Sequence, residues 1–151
     1  MQLPAVRLVG LSLAALIVLG VLSRYQVGSW QSDEVLWTRA IEVTKGNWFA
    51  ESQLGTALAV DGRIEEAVPH FYSALAITPW DTTANMGLAI YQMQTGDFNE
   101  AIVYYGRVIR ASREKSDRLA RAWLGMAQAY DALGENTNAR ECLLEAKKAR
   151  R

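Results

Sequence analysis

The sequence predicts an all-α protein built from stacked helix pairs, and three observations predict it. The stretch Gly96-Asp97-Phe98-Asn99-Glu100-Ala101-Ile102-Val103-Tyr104-Tyr105 ends one helix on a glycine and starts another at once. In the new helix Phe98, Ala101, Ile102 and Tyr105 fall on one face at spacings of three and four. The same wording stands upstream as Gly62-Arg63-Ile64-Glu65-Glu66-Ala67 with Phe71 following, and downstream, degraded, as Gly134-Glu135-Asn136-Thr137-Asn138-Ala139 with Leu143 following. Gly62 to Gly96 is 34 residues and Gly96 to Gly134 is 38. A period of about 34 residues is the spacing of tandem helix-turn-helix repeats.

The composition narrows the function before any motif is read. With 151 residues there is room for one modest domain and an appendage. The chain balances 16 basic against 16 acidic residues, so no overall charge argues for nucleic acid as a partner. One cysteine, Cys142, excludes an internal disulfide and has no metal-ligand spacing around it, so it reads as a helix-surface or seam residue. The one histidine, His70, lies between Pro69 and Phe71 inside a helical pattern and reads as structural.

The N-terminus is the appendage. Leu8 to Leu22 is 15 residues without a charge, flanked by Arg7 and Arg24. That is just under the usual minimum of about 17 for a spanning helix. The neighbouring stretches Leu3 to Val6 and Tyr25 to Val27 are mostly apolar, and both arginines can reach the interface. Tyr25 and Trp30 stand where interfacial aromatics belong. Residues 1–27 therefore read as a membrane anchor; a secretory signal is the competing reading, although the n-region is weakly basic and no Ala-x-Ala occurs. The charges flanking the span barely decide its orientation.

Residues 28–46 read as a linker helix. Ser32 or Asp33 is a suitable N-cap, Asp33 and Glu34 complement the helix dipole, and Leu36, Trp37, Ala40, Ile41 and Val43 form an apolar face. It looks like the second helix of a repeat whose first helix is missing, placed to cover the flank of the next repeat. Residues 47–151 then hold three repeats, at about 48–81, 82–115 and 120–151. The first carries Leu54, Gly55 and Leu58, then Ile64, Ala67, Phe71 and Ala74, and Pro79 punctuates it. The second carries Leu88 and Ala89, then Phe98, Ala101, Tyr105 and Val108. The third carries Trp123, Ala127 and Tyr130, then Ala139, Leu143 and Ala146.

These residues resemble the tetratricopeptide repeat family, whose pattern runs Trp, Leu-Gly, Tyr, then Gly-x-Tyr-x-x-Ala, an aromatic, Ala and Pro. The resemblance covers about two thirds of the chain and implies a short right-handed solenoid. Four departures matter. Gln92 replaces the usual tyrosine and Arg113 the closing proline, Ser116 to Leu119 are four extra residues that should lengthen a neighbouring helix by a turn, and Asn136 replaces an aromatic. No polar capping helix follows, so the last repeat should expose apolar surface, solubilised by Lys147, Lys148, Arg150 and Arg151 or covered by a partner.

The resemblance implies a concave groove formed by the first helix of each repeat. It would draw on Phe49, Ser52, Thr56, Ala59 and Val60 from the first repeat, and on Met86, Ile90, Met93 and Gln94 from the second. The third would add Arg121, Leu124, Gln128 and Asp131. Met86, Ile90 and Met93 make a soft apolar strip suited to an adaptable surface. The basic set with which some family members clamp a chain-terminal carboxylate is mostly absent: Ser52, Thr56, Gly87 and Gly125 occupy those places and only Arg121 matches. The implied ligand is a protein or peptide segment, apolar or amphipathic in character.

The join Arg24, Gln26, Val27 and Trp30, followed by the linker helix and repeats, resembles the tail of multi-pass membrane proteins with tetratricopeptide repeats related to O-mannosyltransferases. There the repeats lie on the extracytoplasmic side, which implies the periplasm here. The other spans and every catalytic loop of that family are missing. No catalytic set, metal cluster or nucleotide-binding loop is present in the sequence, and no cofactor is expected. The expectation is a membrane-anchored, non-catalytic scaffold for protein–protein interaction and complex assembly. The alternatives are an accessory or substrate-recruiting subunit of a membrane glycosyltransferase, and a structural subunit of a membrane complex.

Overall fold

The computed structural model describes residues 33–112 and 114–150, and all seven helices found there are α-helices in series. They are α1 (Asp33–Val43), α2 (Trp48–Val60), α3 (Ile64–Ile77), α4 (Thr82–Thr95), α5 (Phe98–Ala111), α6 (Asp117–Ala132) and α7 (Asn136–Ala149). The anchor expected over 1–27, its apolar stretch 8–22 and the start of the linker lie outside the described residues. Among the described residues no helix is long and apolar enough to cross a membrane.

Local chemistry sets the helix ends. Asn47, Asp81, Asp97 and Ser116 cap α2, α4, α5 and α6, each accepting from a backbone N–H of the first turn. The repeated glycine of the sequence is the turn inside each pair: Gly62, Gly96 and Gly134 sit at φ 81°, 85° and 77°. One residue later the chain donates back across five positions, Arg63 to Leu58, Asp97 to Gln92 and Glu135 to Tyr130, at 2.8 to 2.9 Å. That bond with a left-handed residue is a Schellman turn, which a side chain at the glycine position would strain. The extra residues before the third repeat are divided between the connection at 112–116 and α6, which at 16 residues outlasts the 13 and 14 of the other first helices.

Each helix lies against its chain neighbours, and the first helices also touch across repeat boundaries, α2 with α4 and α4 with α6. The second helices approach one another more loosely, α3 and α5 meeting through the Tyr72 and Tyr104 side chains, so the first helices line the inner face of the stack. The core runs through the pairs as one cluster. In it the Phe71 ring, 1 % exposed, is wedged so tightly that a Cβ on Gly55 would fall 2.7 Å from it and one on Gly87 2.4 Å. Tyr105 repeats the arrangement one pair later, 2.2 Å from where Gly125 would carry a Cβ. A second-helix ring socketed on a first-helix glycine is thus the joint between repeats.

Leu143, at the matching place in α7, departs from the expected inward face: it is 50 % exposed, and the buried residues of α7 are Ala139, Cys142, Ala146 and Ala149. The physical reason is that Phe71 and Tyr105 are enclosed by the first helix that follows them, and no helix encloses Leu143 in the described stack. Helix α1 lies against α2. Trp37 meets Phe49 edge to face at 5.6 Å, and Glu34 pairs with Arg63 at 2.8 Å. Arg63 also holds the Glu66 carboxyl below its ordinary range, chiefly through their hydrogen bond.

Candidate functional site

The inner face is built by α2, α4 and α6, with α4 in the middle because it alone touches both of the others. Of the expected groove residues, Phe49, Thr56, Val60, Ile90, Gln94, Arg121, Gln128 and Asp131 are solvent-exposed. Ala59, Met86, Met93 and Leu124 are half-buried, and Ala59, Met86 and Met93 lean on the core. Val60 is 81 % exposed and Ile90 44 %, so apolar side chains stand open on both α2 and α4. Phe49 leans against Trp37 and Trp48, leaving one side free.

Ser52 is a correction. It is 1 % exposed, and its hydroxyl lies 2.7 Å from the Asp81 carboxylate, to which it donates. Asp81 also accepts from Ala84 N–H at 2.7 Å as the cap of α4. The side chain expected in the groove is instead a buried tie between the first and second repeats. Asn85 completes that tie from inside, donating to the carbonyls of Pro79 and Asp81 and so fixing the connection that Pro79 opens.

The electrostatics of the inner face are uneven. Helix α4 has no charged residue along its length, and α2 has only Glu51, which is bonded to His70 Nδ1 at 2.8 Å on the other side of the pair. Helix α6 carries Asp117, Arg118, Arg121 and Asp131. Two thirds of the face is therefore neutral and partly apolar, and the charge gathers at the α6 end. Nothing there is arranged for proton transfer or nucleophilic attack, and among the described residues no group of three metal-binding side chains comes together.

Away from the inner face lie features that the sequence did not reveal. Tyr104 is buried and its phenol is pushed up to about 12, first by loss of water and then by the neighbouring Tyr72 hydroxyl. Burial likewise raises the Cys142 thiol. Cys142 floors a cleft of about 350 Å³ between α6 and α7 with Trp123, Met126 and Tyr130. A cleft of about 550 Å³ opens where α2 and α4 begin and α5 ends, between Trp48, Trp80 and Arg110. Its members come from three separate places in the chain, so only the charge pattern of helix ends could have hinted at it.

Two models of the tetratricopeptide repeat family match the chain, one over residues 58–120 and the other over 120–151. Together they take in most of the sequence, with the paired helices and glycine turns just described. The chain belongs to the tetratricopeptide repeat family. No curated protein matches it. Repeats of this kind serve protein–protein interaction and the assembly of complexes.

Proposed function

We propose that this protein is a non-catalytic scaffold, tethered to a membrane by residues 8–22 with its repeats on the extracytoplasmic side. Its inner face holds an apolar or amphipathic segment of a partner protein. The observation that carries the reading is α4: a central helix with no charge, displaying Ile90 beside half-buried Met86 and Met93. A charged segment would lose hydration there without gaining an opposite charge, whereas an apolar one is desolvated to advantage. Methionine side chains adapt to different shapes, which suits a surface that receives rather than catalyses. Tethering converts a weak contact into an effective one, because the partner is met at a high local concentration.

Two experiments test this. Fractionation with protease accessibility, on a chain tagged at its C-terminus, should give a full-length membrane-bound protein cut only from the extracytoplasmic side. A shortened soluble form would remove the tether, and protection from the outside would reverse the topology. Photo-crosslinking from position 90 should then trap a protein that the same crosslinker at the outer-side position 103 does not. Equal adducts from both positions would sink the inner-face assignment.

A further inference from the structure

The two long edges of the stack differ in chemistry. One edge holds the turns within pairs, where first helices end and second helices begin. It carries Asp61, Glu65 and Glu66 at the first turn, Asp97 and Glu100 at the second, and Glu135 at the third, with Arg63 the one cation of those turns. The other edge holds the connections between pairs. It carries Lys45, Arg110, Lys115, Arg118, Lys148 and Arg150, spread from the end of α1 to the end of α7. Among its carboxylates Glu42 pairs with Arg39, Glu145 pairs with Lys148 at 2.6 Å and Asp81 caps α4, while Glu114 and Asp117 stand among the cations. Part of this polarity has a local origin, since acids favour the start of a helix and bases its end.

The helix dipole does not explain the apolar residues that share the basic edge. Val43, Ile77 and Trp80 are all exposed there, Trp80 by 56 %. The Arg110 guanidinium lies 5.9 Å over the Trp80 ring, and Trp48 faces the same cleft. Arg118 reaches back to the Thr82 hydroxyl at 2.8 Å, bringing the start of α6 against the start of α4. Exposed tryptophan and aliphatic tips with lysine and arginine between them match the headgroup zone of a bilayer, where aromatic rings settle and cations meet anionic lipid.

We propose that this edge rests on an anionic phospholipid surface, with Trp80 entering the headgroup zone and Arg110, Lys115 and Arg118 meeting lipid phosphates. The occupant is an extended surface rather than one small anion, because the cations run from the end of α1 to the end of α7 instead of converging in the cleft. The acidic opposite edge strengthens the orientation, since an anionic surface repels it while attracting this one. This goes beyond the scaffold reading and stands or falls separately from the tether: the edge lies wholly within residues 43–150.

The test uses the full chain with vesicles of phosphatidylcholine alone or with added phosphatidylglycerol, both carrying bromine-labelled acyl chains that quench nearby tryptophan. Quenching should be greater on the anionic vesicles. That increment should vanish in Trp80→Phe, shrink several-fold in Arg110→Gln/Lys115→Gln, and fade as salt is raised. Circular dichroism of the variants checks that the helices persist. Equal quenching on both lipids, or an increment that survives Trp80→Phe, would overturn the proposal. So would full access of Trp80 to acrylamide on anionic vesicles, which leaves an acidic protein as the occupant. Sedimentation with the neutral vesicles reports the tether alone, so a lost tether and a lost edge contact give different results.

Discussion

At the first repeat boundary the Phe71 ring is held from two sides, by Gly55 of its own pair and Gly87 of the next, whereas at the second boundary Tyr105 meets Gly125. The first boundary adds a buried polar tie, Ser52 to Asp81, and a connection pinned by Asn85. The second has an exposed bond from Arg118 to Thr82 and a longer connection over 112–116. On the outer side, where Tyr72 neighbours the buried Tyr104 at the first boundary, the second offers Gly106 beside the Met126 methyl. One repeat plan thus yields a rigid joint and a more yielding one. Burial of the tie, more than the number of contacts, separates them.

Phe71→Ala tests this contrast with the largest effect. Emptying a fully enclosed ring site should cost about 4 kcal/mol in urea unfolding, near the upper range for core truncation, whereas Leu143→Ala should cost under about 1. Comparable losses at the two positions would mean that Leu143 is enclosed after all. Next come the glycines: Gly87→Ala should cost about 3 kcal/mol and Gly125→Ala about 1, because a Cβ at Gly87 meets a ring already held from the other side by Gly55, whereas one at Gly125 meets the hydroxyl end of Tyr105, which no second glycine holds. The reverse order, read from thermal melts of the two variants, would make the second joint the stiffer.

The polar ties should follow at smaller scale. Asp81→Ala removes a helix cap and the Ser52 acceptor together and should cost about 2 kcal/mol, with Ser52→Ala nearer 1. Arg118→Ala, which breaks only a solvent-exposed bond, should cost less than about 0.5. If Arg118→Ala equals Asp81→Ala in denaturant midpoint shift, burial does not explain the difference between the joints. The smallest effect is a pH dependence. The folded protein keeps Tyr104 protonated to about 12, above its ordinary value of 10, so unfolding is favoured as the unfolded phenol ionises first. Stability from this group is complete below about 10 and declines as pH rises toward 12. Tyr104→Phe should flatten that decline in melts across the same range, and an unchanged slope would remove Tyr104 as its source.

The helix pairs were legible because their signals are local. A Schellman glycine, a cap three residues from its partner and apolar spacings of three and four all lie within one turn of chain. That is why Gly62, Gly96 and Gly134 announced the fold. Ser52 was misplaced because its partner, Asp81, is 29 residues away, and a serine on a helix carries no mark of what covers it. Leu143 was misplaced because burial in a stack belongs to the neighbouring repeat as much as to the residue itself. The exposed members of the inner face, such as Thr56, Ile90 and Arg121, could be placed from the repeat register. The charged edges could not, because each is assembled from helix ends scattered over the whole described chain.

The absence of carboxylate, imidazole or basic side chains from α4 has a consequence for where the protein can work. A grip made of dispersion and water release has no ionic setting to be turned up or down, so acidification or dilution of the surroundings leaves it nearly constant. The same protein would hold its partner with one surface that ignores the medium and meet lipid with another that responds to it. Changing the salt would then shift how the scaffold lies without loosening what it carries.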